Sequence, residues 1–241
     1  MTTRPSLSKA PIVEGLIDLR VERSSRASVD AFVALAENFA AEFPSRKQRS
    51  RFMAQIHFGP GAAPASSKEE ADGVVLRSVD EKWVVQLHLD GLTVSRLQPY
   101  GSWADLLAKS TEWWGRYRDV AQPDKVIRIA TRFINRIPLP PGEPFDRTFL
   151  TMFTLGPTLP QAVTGYLQRV VIPFEADAAV AVLTQSLEGD AAECILDIDV
   201  SAERPNGFRE DETWQKIDVL RRLKNQLFFG SLTTEALERF K

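Results

Sequence analysis

KVIRIATRFINRIPLP, residues 125–140, is the stretch on which the reading of this chain turns. Phe133, Asn135 and Ile137 fall on one side, and Arg128, Ala130, Arg132, Ile134 and Arg136 on the other. That two-residue period is the mark of an extended strand. About 13–15 residues at about 3.3 Å each span roughly 45 Å, well beyond the usual strand, so a bulge or bend is expected within it. Pro138 and Pro140 end ladder pairing, and PLPPGEP forces a turn. The three arginines form a ladder of planar guanidinium forks on one face. Such a ladder suits phosphates, acidic peptides or carboxylates of the same sheet.

Upstream, PIVEGLIDLRV (11–21) alternates in the same way, with Val13, Gly15, Ile17, Leu19 and Val21 on one face and Glu14, Asp18 and Arg20 on the other. A helix follows, with Ser28 as N-cap, Phe32, Leu35, Ala36, Phe39 and Phe43 at helical spacing and Pro44 ending it. Residues 51–58 read as a second strand, and GPGAAPASSKEEADG (59–73) as an exposed, mobile loop. Strands are expected over 73–79, 82–90 and 92–98, the last two joined by a type I′ turn at Asp90-Gly91. A second helix begins near Ser102 and carries Trp103, Leu106, Leu107, Trp113, Trp114 and Tyr117 in a broad stripe. It holds three of the five tryptophans and should anchor the core.

Downstream of the long strand, a short helix is expected within 145–153, then strands over 165–174, 179–187 and 193–201. A final helix over about 211–229 turns Trp214, Ile217, Leu220, Leu223, Leu227 and Phe228 inward, with Gly230 at C′ and Thr233 capping a last turn. The pattern predicts an α+β fold, mainly antiparallel sheet with two or three long packing helices. The halves 1–122 and 123–241 are alike in element order and read as two similar halves or one compact domain. The first half follows the βαββββα order of TATA-box-binding-protein-like and helix-grip folds, a likeness that carries no function.

The composition narrows the class. The chain has 241 residues, 44% hydrophobic and 26% charged, with 13 glycines and 15 prolines, which excludes disordered and collagen-like chains. A formal charge of −2 argues against a polycation built for nucleic acid or anionic lipid. No run reaches the roughly 18 apolar residues of a membrane span. The single Cys194 cannot form an internal disulfide, and the start MTTRPSLSKAPIVEG has no signal-peptide core, so a cytoplasmic setting is expected.

No catalytic motif stands out, and no catalytic residue, cofactor or metal site is assigned. His57, His88 and Cys194 lack metal-site spacing; a Cys194–His88 nucleophile pair is an alternative to a buried structural cysteine. Asp197 and Asp199 share a strand face and suit Mg²⁺ or acid–base work, but alternating acids also describe a solvated sheet face. If the strands pair, Asp18, Asp197 and Asp199 instead build a salt-bridge lattice with Arg128, Arg132 and Arg136. Arg46, Lys47, Arg49 and Arg51 form a basic patch that a nucleic-acid reading would use. Arg221, Arg222 and Lys224 stud the last helix.

APIVEGLIDLRV (10–21), TRFINRIPLP (131–140) and LRRLKNQLFFGSLTTEALERF (220–240), together with the tryptophan-rich helix, resemble a sporadically distributed bacterial family of about this length. The resemblance spans nearly the whole chain. It names no substrate and no catalytic residue; its patchy distribution implies mobile or defence-associated genes and an accessory, partner-binding role. The leading expectation is therefore a non-enzymatic interaction protein with a protein partner or a second copy of itself. Its expected recognition surface is Arg128, Arg132, Arg136, Asp18, Asp197 and Asp199. One alternative is an enzyme or sensor taking a phosphorylated or nucleotide ligand on that arginine face; another is a nucleic-acid accessory protein using the Arg46–Arg51 patch.

Overall fold

The computed structural model of the chain describes residues 7–55, 66–140, 142–151, 153, 155–160, 163–188 and 192–241. Among them are strands β1 (Ile12–Val21), β2 (Ser45–Gln55), β3 (Ser66–Arg77), β4 (Trp83–His88), β5 (Gly91–Leu97), β6 (Val126–Pro138), β7 (Gly165–Phe174), β8 (Ala179–Glu188) and β9 (Glu193–Phe208). All belong to one open antiparallel sheet in the order β2-β3-β4-β5-β1-β6-β9-β8-β7. The fold is α+β, as the alternation and helix spacing predict.

The two strands that open the halves lie side by side at the centre. Ile17 of β1 faces Val94 of β5 on one side and Thr131 of β6 on the other. From β1 the sheet runs outward through β5, β4, β3 and β2; from β6 it runs through β9, β8 and β7. Each run therefore winds back from its last strand to its earliest, and β2 has no counterpart in the second half. The 13-residue β6 carries the expected irregularity, with register shifts between Val126 and Arg128 against β9 and between Arg20 and Val21 of its partner β1.

The helices α1 (Val29–Glu37), α2 (Trp103–Ala121), α3 (Glu210–Ser231) and α4 (Thr234–Glu238) gather on one side of the sheet. α1 packs on β3, α2 on β5 and β1, and α3 on β6 and β9. Between them and the sheet lie Ile17, Leu19, Val94, Phe133, Ile198, Trp113, Tyr117 and Leu220, all essentially inaccessible to water. The N-terminus of α2 is set by a capping box between Ser102 and Asp105. Trp113 meets Phe39 and Phe43 edge-on, each at 5.2 Å, while Trp114 stacks on Tyr117 at 5.6 Å. Asn135, buried in the core, donates from Nδ2 to the carbonyls of Phe133 (3.2 Å) and Leu196 (3.0 Å). Those bonds satisfy the amide that an apolar strand face would otherwise penalise.

Five local expectations are corrected. α1 stops at Glu37; successive tight turns over 38–43 carry Phe39 and Phe43 back into the core without further helix. β2 starts at Ser45 and β3 at Ser66, so 66–72, read as loop, is strand, while 56–65, including His57, lie outside the described residues. At the sheet margin a strand needs no apolar alternation, because the ladder to its neighbour supplies the order. β9 continues to Phe208, where Phe208 pairs with Val126 beyond the bulge. The β4–β5 loop is Leu89-Asp90, neither with positive φ, so the turn is not type I′; Gly91 (φ 152°) opens β5. Gly230 is inside α3, because the Ser231 carbonyl is already bound by the Leu150 amide at 2.9 Å and no glycine C′ is required.

Candidate functional site: the open face of the sheet

Side chains alternate across a sheet, so the face away from the helices is defined by register. It carries Glu14, Leu16, Asp18 and Arg20 on β1; Arg128, Ala130, Arg132, Ile134 and Arg136 on β6; and Glu193, Ile195, Asp197, Asp199, Ser201 and Glu203 on β9. The three arginines do share this face, and every one is ion-paired. Arg132 grips Asp197 with two nitrogens, Nε at 2.9 Å from Oδ1 and Nη2 at 2.6 Å from Oδ2. Arg128 reaches Asp18 at 3.1 Å, Asp199 at 3.6 Å and Glu203 at 3.3 Å. Arg136 pairs with Glu193 at 3.2 Å.

Asp18 is the most deeply set carboxylate of this group, 6% exposed. Its Oδ2 accepts from Arg20 Nε (3.0 Å) and Arg128 Nη1 (3.1 Å), and its Oδ1 from the Thr93 hydroxyl (2.7 Å). Asp199 is held above the ordinary carboxylate range mainly by burial, against the pull of Arg128 and Arg132. Its Oδ1 is buried with no hydrogen-bond partner among the described residues.

The lattice runs on towards β2. Asp90 accepts from Arg20 at 3.2 Å and Arg51 at 2.6 Å, and Arg51 also lies 3.4 Å from Asp72, which Arg49 binds as well. Asp90 is driven well below the ordinary carboxylate value, first by its hydrogen bond with His88 and further by Arg51 and Arg20. Half of the basic patch is therefore neutralised inside the sheet. Arg46 and Lys47 are consecutive on β2 and point to opposite faces, so the four cations do not form one surface. Two shallow cavities flank the Asp90 turn. One, about 540 Å³, is lined by Arg20, Lys125, Arg128 and Glu203; the other, about 490 Å³, by Arg23, Arg51, Glu70 and Asp72.

His88 sits fully buried at the centre of these pairs, with Asp90 Oδ1 2.8 Å from Nδ1 and the Thr93 oxygen 3.3 Å from Nε2. At Nδ1 the Asp90 carboxylate only accepts while Arg20 Nη1, 3.3 Å away, only donates, and Thr93, whose proton goes to Asp18, can only accept from Nε2. Burial, reinforced by Arg20 and Arg49, lowers the His88 pKa below 6.5 despite Asp90 and Asp18. The unfolded chain then takes up the proton first. The His88 contribution to stability is complete above pH 6.5 and is lost as pH falls through and below that value. Thermal unfolding of the wild type should show a falling melting temperature between pH 7 and 5, and His88→Gln should flatten that slope. An unchanged slope in the variant would assign the acid sensitivity to other groups.

Cys194 faces the helices, fully buried, with Sγ 3.3 Å from the Tyr166 hydroxyl, and burial raises its pKa. β5, β1 and β6 separate its strand from that of His88, and the two side chains lie on opposite faces. The alternative of a Cys194–His88 pair is overturned. Among the described residues no three His, Cys, Asp or Glu side chains converge as metal ligands, and Asp197 is committed to Arg132.

The outer wing of this face has a different chemistry. Across β7 and β8 the register sets Val171 against Val182 and Pro173 against Val180, while exposed Arg169, opposite Thr184, separates Val171 from Leu167 further along β7. Leu167 is 75% exposed, Val171 52% and Val180 41%. His88, Thr93, Asp90 and Asp72 were not among the expected site residues. Their signal was a polar residue at each open-face position of a predicted strand, or at the turn or bulge beside one. Fold and face together define an α+β protein with a broad sheet open on one side, its charges compensated within the face. No family model matches this chain, and no curated protein matches it. Among the described residues no helix is long and apolar enough to cross a membrane.

Proposed function

We propose that this is a non-enzymatic cytoplasmic interaction protein that holds a protein partner on the open face of its sheet. The observation that carries the reading is the juxtaposition on one uncovered face of an apolar strip, Leu167, Val171 and Val180, with a lattice of fixed opposite charges. A partner with an apolar ridge flanked by alternating charges would bury the strip and keep register with the lattice. The family resemblance supports an accessory role in a bacterial mobile or defence-associated setting.

Two features weigh against the alternatives. The sheet-face arginines are occupied by carboxylates, which leaves them poor phosphate clamps and argues against nucleic acid on this face. The hydroxyl beside an imidazole on this face, Thr93 next to His88, is buried and gives its proton to Asp18 rather than to the ring. The test is affinity purification from the native host with wild type, Leu167→Asp/Val171→Asp, Arg132→Ala and Val79→Asp. Val79 is 71% exposed elsewhere. A partner, or a second copy, retained by Val79→Asp and lost from the β7 double variant and Arg132→Ala is the expected result. A wild-type protein that comes through alone, or a partner held equally by all four, removes the proposal.

A further inference from the structure

Arg46 and Lys47, half of the basic patch, take no part in the lattice of the open face. Their strand, β2, bears the cations Arg46, Lys47, Arg49 and Arg51 and no acid. Arg49 and Arg51 are held by Asp72 and Asp90. Among the described residues no carboxylate lies within ion-pairing distance of Arg46 or Lys47. β2 also closes one margin of the sheet. Its outward N–H and C=O groups find no backbone partner among the described residues, so the strand offers a ladder to one more strand.

The neighbouring helix leaves room for such an addition, because α1 packs on β3 and β4, short of the edge. Arg46 is opposite Leu76 and Gln48 opposite Val74, both buried, so these two β2 residues turn to the helix side and Lys47 to the open face. Between α1 and β2 lies a cavity of about 320 Å³. Val29, Val33, Ala36 and Val74 give it an apolar lining, and Arg46, Lys47 and Gln48 form its strand wall. Val33 remains 42% exposed. Glu37 stands on the helical wall, which disfavours acids there and leaves them the strand side.

We propose that β2 takes up an extended segment of a partner protein as an additional strand, with an apolar side chain in the cavity and two consecutive acidic residues opposite Arg46 and Lys47. Main-chain pairing supplies the attachment, and the cavity with its two cations supplies the choice of sequence. The residue opposite Gln48 shares the helix-side face with the one opposite Arg46 and enters the cavity. The residue between them lies beside Lys47 on the other face, and opposite charges at such cross-strand positions attract. An oligonucleotide is the poorer occupant, because the lining has no aromatic ring on which a base would stack. The groove is at the opposite end of the sheet from β7 and β8.

The probe is a fluorescein-labelled heptapeptide with leucine at its centre, two glutamates on either side and serine at each end. It presents the motif in either strand direction. Fluorescence anisotropy with the full chain should show saturable binding with a dissociation constant below about 1 mM. Arg46→Glu and Val33→Glu, both at exposed positions, should each weaken it at least tenfold at an unchanged melting temperature. Leu167→Asp/Val171→Asp should leave it as in the wild type. Methylating two consecutive peptide nitrogens should abolish it, because one of any two neighbouring N–H groups points to the pairing strand. The proposal is overturned by no binding to the wild type, or by binding kept by the methylated peptide or by either glutamate variant. Equal binding of oligothymidylate, or of the peptide with serine for leucine or lysine for glutamate, overturns it too. So does a wild-type dimer that Arg46→Glu dissociates, since a second copy would then occupy the groove.

Discussion

Asp18→Ala is expected to cost about 3 kcal/mol and to lower the melting temperature by roughly 6–12 °C. The carboxylate is 6% exposed and is the shared acceptor of Arg20, Arg128 and Thr93. Its removal leaves two guanidinium groups, each about a quarter to a third exposed, without their common counter-charge. Partial access of water to those arginines places the cost at the lower end of the range for broken buried pairs. The loss should be larger than that of Arg136→Ala, whose pair with Glu193 is half exposed on both sides. Urea unfolding of both variants decides it. A cost below about 1 kcal/mol for Asp18→Ala would mean that water replaces the carboxylate freely and the lattice adds little to folding.

Trp113→Ala should remove about 3–5 kcal/mol, the larger of the two effects. The indole has no exposure, and the edges of Phe39 and Phe43 close on it from the turns that follow α1. Arg116 lies over both its ring (4.6 Å) and that of Phe39 (3.8 Å), so the cavity would open towards a cation. Trp113→Phe should recover more than half of the loss, because the indole Nε1 makes no hydrogen bond that phenylalanine would forfeit. Equal costs for the two variants would show that the indole edge, rather than ring volume, supports the turn.

The strands with clear alternation were legible from residue order alone. β1, β6 and β7 lie within a residue or two of the expected spans, and the caps at Ser28, Ser102 and Thr233 accept from Ala31, Asp105 and Ala236 as their residue types imply. What could not be read was structure that depends on a neighbour. SRKQRSR, at the start of β2, has no apolar rhythm; its extended form comes from pairing Lys47 with Val75 and Arg49 with Gly73. The tail of β9 is likewise ordered by β6. The same distinction governs the face. Arg128, Arg132 and Arg136 share a side by spacing alone, but the partners that neutralise them follow from strand order. The opposition of Arg132 to Asp199, and of Ile134 to Asp197, requires β6 beside β9.

The central position of β1 bears on how the protein is made. β1 leaves the ribosome before β6, yet one of its two ladders is completed by β6, which begins only at Val126. Through synthesis of the whole first half, β1 offers an unsatisfied edge at what will become the middle of the sheet. Closing that seam late and over so long a loop makes folding slow, and the nascent half resembles an exposed template for stray strands. The ion pair between Arg128 of β6 and Asp18 of β1 then forms only with correct docking. It acts as a latch that distinguishes the proper strand from an interloper.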